Sequence, residues 1–129
     1  MSVSSGQSRK VNVLVVDDEH VVADSLAWIL NSVGFNTSSV YSGRDAINHA
    51  VVNPIDILVS DVVMDGMTGI DAAIEICKLL PSCKVLLFSG NIGTSDILKE
   101  AHEQGHDFDI LAKPVHPSVI INRLHAMTP

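Results

Sequence analysis

The chain has 129 residues, of which 47% are hydrophobic and 18% charged, the balance of one globular domain rather than of a disordered chain. Its formal net charge of -7, from 8 Lys and Arg against 15 Asp and Glu, offers no basic field to a polyphosphate backbone, so direct nucleic-acid binding is not expected. Two cysteines, a polar opening MSVSSGQSRK and no apolar run of membrane-spanning length predict a cytoplasmic protein with reduced thiols, no secretory leader and no membrane partner.

Residues 1–9 read as a flexible polar tail and 10–128 as the folded domain. Val11 to Val16 is a β-branched run without alternation, the pattern of a strand buried on both faces, and it stops at Asp17, Asp18 and Glu19. From His20 to about Val33 the residues Val21, Val22, Leu26, Ile29, Leu30 and Val33 recur at helical spacing, with Gly34 as the stop. Trp28 reads as a packing residue of that helix, and His20 as solvated. A weaker strand follows near Asn36 to Tyr41, then a helix from about Gly43 to Val52. Next comes a compact apolar strand from Ile55 to Ser60 that runs into Asp61. Gly66 and Gly69 mark a loop in which Met64 reads as packing and Asp65 as solvent-facing. Ile70 to Leu80 reads as a helix closed by Pro81, Lys84 to Phe88 as a fourth strand, and Thr94 to Gln104 as a helix ended by Gly105. A fifth strand near Phe108 to Ala112 meets Lys113 and Pro114, and a last helix starts near Pro117. Five strands alternating with five helices predict an α/β fold with a parallel sheet covered on both faces, because parallel neighbours need crossover connections.

In open α/β sheets ligands bind beyond the carboxyl ends of the strands. The residues predicted there are Asp17 and Asp18, Asp61, Ser89 with Gly90, and Lys113. Carboxylates gathered without a cation repel one another, and a hard divalent ion, Mg²⁺ or Mn²⁺, suits their oxygens. With such an ion and Lys113 the rim comes close to neutral, so a phosphoryl group can approach. Phosphoryl transfer then depends on positioning and on stabilising the equatorial oxygens. Asp61, alone on the central strand, is the candidate nucleophile and would form an aspartyl-phosphate. Ser89 and the Gly90 backbone N–H would donate to the phosphoryl oxygens, and Lys113 would pair with them as a point charge.

The stretches VVDDE, DILVSDVVMDGMTG, VLLFSG and AKP resemble, in order and in spacing, the four signatures of receiver domains of two-component response regulators, over about residues 10–127. The resemblance implies a flavodoxin-like, doubly wound sheet in the order 2-1-3-4-5. It makes Asp18 a direct metal ligand, Asp17 a ligand through water, Asp61 the phosphoacceptor and Val63 the donor of a backbone carbonyl to the metal. Ser89 and Lys113 match the family's hydroxyl and lysine, and the Lys113–Pro114 bond is expected to be cis. The implied role is phosphorelay signalling and not turnover of a small substrate. The domain would catalyse its own Mg²⁺-dependent phosphorylation and dephosphorylation, with a sensor histidine kinase or a histidine phosphotransfer protein as donor. Phosphorylation is expected to rearrange the loops after strands three and four and to alter the face made by helix four, strand five and helix five. With no output domain in the chain, the signal is expected to leave through a downstream protein or a homodimer.

Three positions depart from the family pattern. Asp65 stands where proline is usual, so this loop is expected to be less rigid and more acidic. Ile110 stands where many members carry an aromatic switch, so none is expected at that position; Gly105 to Lys113 is one residue longer than usual, and Phe108, on the same strand face as Ile110, would partly take that role. Two rivals fit less well. Haloacid-dehalogenase-like phosphohydrolases use a DxD pair after the first strand, whereas Asp17 and Asp18 are adjacent. A pseudo-receiver has no use for the intact acid pair, Asp61 and Lys113. Taken alone, Asp17 and Asp18 would read equally well as a helix-capping turn. His102 and His106 are separated by Gly105, which ends the helix and breaks the facing geometry a zinc pair needs, so no zinc site is expected.

Overall fold

The computed structural model describes residues 10–90, 94–106 and 108–128; the tail expected over 1–9 lies outside them. Along the chain run β1 (Asn12–Val16), α1 (His20–Ser32), β2 (Asn36–Val40), α2 (Gly43–Val52), β3 (Ile57–Asp61), α3 (Gly69–Leu79), β4 (Lys84–Ser89), α4 (Thr94–Glu103), β5 (Asp109–Ala112) and α5 (Pro117–Met127). All neighbouring strands are parallel, in the order β2-β1-β3-β4-β5. This is the flavodoxin-like order, and it places a switch point between the carboxyl ends of β1 and β3. Among the described residues no helix is long and apolar enough to cross a membrane.

Successive side chains of a strand point to opposite faces, which explains why the central strands are apolar without alternation. Leu14, Val16, Leu58, Val85 and Leu87 face one core with Ala46, Ile70 and Ile76, on the side of α2 and α3. Val13, Val15, Ile57, Val59, Leu86 and Phe88 face the other with Leu26, Leu30 and Leu124, on the side of α1 and α5. Each fully buried Leu or Ile contributes about 1.5–3 kcal/mol, so both faces of the sheet are held firmly under its rim.

Local chemistry sets the helix ends. Ser42 and Thr68 cap α2 and α3 by accepting the N–H groups of Asp45 and Asp71. Gly34, at φ 106°, closes α1 in the left-handed conformation, and the Phe35 N–H reaches back to the Leu30 carbonyl. β3 starts at Ile57 and not at Ile55, which is buried in the approach to the strand.

The outer edge of the sheet is partly sealed. The Asn36 N–H donates to Val11 and the Val40 carbonyl accepts from Asp17, so alternate residues of β2 face β1 and Thr37 faces outward. There Asn31 of α1 takes both backbone groups of Thr37, its Oδ1 accepting at 2.8 Å and its Nδ2 donating at 3.0 Å. Expectations for this same helix fail in part: Val21, Val22 and Val33, read as members of its packed face, are exposed. The buried stripe of α1 is Ala23, Leu26, Ala27 and Leu30, and Trp28, one step of 100° past Ala27, is 74% exposed rather than packed. Met64 is buried, as expected.

Candidate functional site

The carboxyl ends of β1 and β3 bring Asp17, Asp18 and Asp61 together. One carboxylate oxygen from each lies within 4.8 Å of the other two, and this is the one such acidic group among the described residues. Each is held differently. Asp17 is buried, and its Oδ1 accepts the Glu19 N–H at 2.9 Å, a bond within the turn before α1 and not a cap on the helix itself. Asp61, with a side chain 12% exposed, pairs with Lys113 at 3.0 Å between Nζ and Oδ2. Asp18 is exposed, and its Oδ2 accepts the Asp65 N–H at 3.3 Å.

Burial is the main cause that lifts the Asp17 carboxyl above the ordinary range. The Asp61 and Asp18 charges add to it, while the Glu19 N–H and the Lys113 ammonium work in the opposite direction. A carboxyl under such pressure gains most from a cation, and the donors present are hard oxygens. The residues therefore fit an ion of the Mg²⁺ class, and the pocket is able to bind a metal.

Ser89 ends β4 and is buried. Its carbonyl accepts the Lys113 N–H at 3.0 Å, which pins the lysine-bearing end of β5 beside it. Gly90 follows at the surface, and a side chain there would stand 3.7 Å from the Lys113 Cβ. Val63, two residues past Asp61, is exposed in the loop. The Lys113–Pro114 bond is cis, as the resemblance implied.

Two residues behind Asp61 escaped the sequence reading. Ser60 is buried and its hydroxyl donates to the Asp61 carbonyl at 2.8 Å. Gly69 donates to the Val62 carbonyl at 2.8 Å, and a Cβ on Gly69 would collide with the Asp61 backbone and with the Ser60 Oγ. The only signal in the sequence was a glycine directly after a capping threonine. That signal marks a loop equally well.

Around the rim, His20 is exposed yet not simply solvated, since its ring stacks on Tyr41 with centroids 3.7 Å apart. The Tyr41 hydroxyl and Ser39 both donate to Asp24, which holds its carboxyl low and raises the Tyr41 phenol. The exposed Val21 and Val22 wall a cleft of about 480 Å³ that runs between α1 and Pro114, Val115 and Pro117, with Asp17 and Lys113 at its edge. Phe108 and Ile110 are half-buried against the same core. The His106 ring lies 5.7 Å from that of Phe108, far from the rim acids in the fold.

A model of the response regulator receiver domain matches residues 13–125. The chemotaxis protein CheY of Thermotoga maritima is 31% identical over 117 residues, covering 90% of this chain and 96% of its own. The probable transcriptional regulatory protein TcrX of Mycobacterium tuberculosis is also 31% identical over 117 residues, or 91% of this chain, which spans only 49% of that protein. Among solved structures, a CheY-like response regulator receiver domain protein from Methanospirillum hungatei shares the fold with a TM-score of 0.81. It does so at 20% identity, over 92% of this chain and 93% of its own.

Proposed function

Because the chain belongs to the response regulator receiver domain family, we propose that Asp61 is the phosphoacceptor of a two-component phosphorelay. The observation that carries this is the pairing of Asp61 Oδ2 with Lys113 Nζ at 3.0 Å inside a cluster of three acidic oxygen donors. A carboxylate so placed is screened on one side and open toward the switch point of the sheet.

In the proposed transfer a carboxylate oxygen of Asp61 attacks the phosphorus of a phosphohistidine. The new O–P bond forms as the N–P bond breaks, and the electron pair returns to the donor imidazole. Lys113 then leaves its pairing with the carboxylate to pair with a phosphoryl oxygen, Ser89 donates its hydroxyl to another, and the Gly90 N–H donates to the same group. Asp18 directly, Asp17 through water, Asp61 and the Val63 carbonyl would hold Mg²⁺, with Mn²⁺ a substitute. When bound, the ion neutralises charge on the phosphoryl oxygens. Hydrolysis by water restores the carboxylate, so the domain times its own signal.

The donor is a sensor histidine kinase or a histidine phosphotransfer protein, and the apolar cleft beside Lys113 offers it a surface that small phosphodonors do not need. Residues 10–128 act as the receiver, working in the cytoplasm. Output passes to a downstream protein or a homodimer through the α4, β5 and α5 face, and Phe108 is the aromatic that would move. Intact mass after incubation with acetyl phosphate and Mg²⁺ tests the reading. One added phosphoryl group is expected, absent in Asp61→Asn and in the presence of a chelator. A wild-type chain that takes no adduct would overturn it.

A further inference from the structure

Each carboxylate of the acidic pocket has its own holder. Asp17 accepts the Glu19 N–H, Asp61 pairs with Lys113, and Asp18 accepts the Asp65 N–H. The third of these joins residues 47 positions apart and ties the loop after β3 to the turn after β1. Asp18 is also the member with the least other restraint. It is exposed, whereas Asp17 is buried and the Asp61 side chain is 12% exposed. With two like charges beside it, an unheld Asp18 side chain would swing toward water, where its charge is better solvated.

We propose that Asp65 is a positioning residue whose main-chain N–H, not its carboxylate, keeps Asp18 turned into the metal pocket. This rests on the reading that the pocket takes Mg²⁺. A carboxylate offers about four lone-pair sites on two oxygens, so an N–H on Oδ2 leaves Oδ1 and the remaining sites for the ion. The Asp65 carboxylate is not among the acidic oxygens gathered there. Proline, the residue that the resemblance leads one to expect at this position, has no N–H to give. The departure therefore supplies a second-loop restraint on a metal ligand, where sequence alone suggested a looser loop.

The test is a calorimetric titration of the full chain with Mg²⁺ alone, comparing wild type with Asp65→Asn, Asp65→Ala and Asp65→Pro. Asn and Ala keep the N–H and lose the charge, so both are expected to bind within about twofold of wild type, the small effect of an exposed charge. Pro removes the donor and is expected to weaken binding about threefold to tenfold, the size of one charge-assisted hydrogen bond partly replaced by water. A second measurement needs no change at residue 65: hydrogen exchange of the Asp65 amide should accelerate in Asp18→Ala.

Equal binding by Asp65→Pro and wild type would overturn the proposal, as would Asn or Ala variants as weak as Pro. An Asp65 amide indifferent to Asp18→Ala would do the same even if the proline variant failed to fold. If wild type bound no Mg²⁺ at all, the phosphoacceptor reading would fail and take this one with it. That failure is recognised because the variants would then have nothing to lose.

Discussion

The two ends of the sheet carry polar and ionisable groups on the same strands, and they treat them in opposite ways. At the amino end Asp56 accepts the Asn12 N–H at 2.7 Å with its side chain, while its own backbone bonds Asn12 and Lys84. Lys84 Nζ donates to the Met127 carbonyl that ends α5. Burial raises both thiols there, with Cys83 pushed up to about 12, so they stay protonated and unreactive. At the carboxyl end three acids face one another around a single ion pair. A charge satisfied by nearby backbone groups steadies the fold, whereas charges left under mutual pressure hold binding energy for a ligand.

This contrast can be broken from either end. The largest effect is expected at Gly69→Ala, where the added methyl meets the Asp61 backbone and Ser60 Oγ. Chemical denaturation should show a loss of about 3 kcal/mol, as for overpacking against backbone, together with slower phosphorylation by acetyl phosphate. A variant of wild-type stability would mean that the back of Asp61 is not tightly seated. Next comes Asp56→Ala at the opposite end, which leaves the Asn12 N–H without its acceptor and should cost about 1–2 kcal/mol while Mg²⁺ affinity stays unchanged. A changed affinity would show that the two ends are coupled.

The smallest effect has the opposite sign. Asp17→Asn keeps an acceptor for the Glu19 N–H and removes a charge whose folded pKa is raised. Below the unfolded pKa the wild type carries no penalty. As pH rises through the folded pKa the buried charge forms and stability is lost. The variant should therefore be more stable than metal-free wild type near neutral pH, by on the order of 1 kcal/mol, with the gain vanishing in acid. Thermal melts across pH would reveal this, and Mg²⁺ should raise the wild-type midpoint but not that of the variant. A variant less stable than wild type at neutral pH would refute the idea that the buried Asp17 charge costs stability.

The architecture and the rim acids are legible in the sequence, because a parallel sheet sends the carboxyl end of every strand to one side. Runs such as Val11 to Val16, Ile55 to Ser60 and Lys84 to Phe88, followed in turn by Asp17, Asp61 and Ser89, therefore place those residues on a common rim. Hydrophobic period located the helix α1 but only part of its inward face, since Leu26 and Leu30 are buried while Val21, Val22 and Val33 are exposed. Trp28 lay one step outside a stripe that the small Ala23 and Ala27 complete. Only the tertiary structure decided the contacts between segments distant in sequence: Asn31 sealing Thr37, His20 stacked on Tyr41, Gly69 against Asp61, and the Asp65 N–H on Asp18. Periodicity records which side of an element is buried, whereas the partner met across a loop depends on where the whole sheet and its helices bring the two backbones.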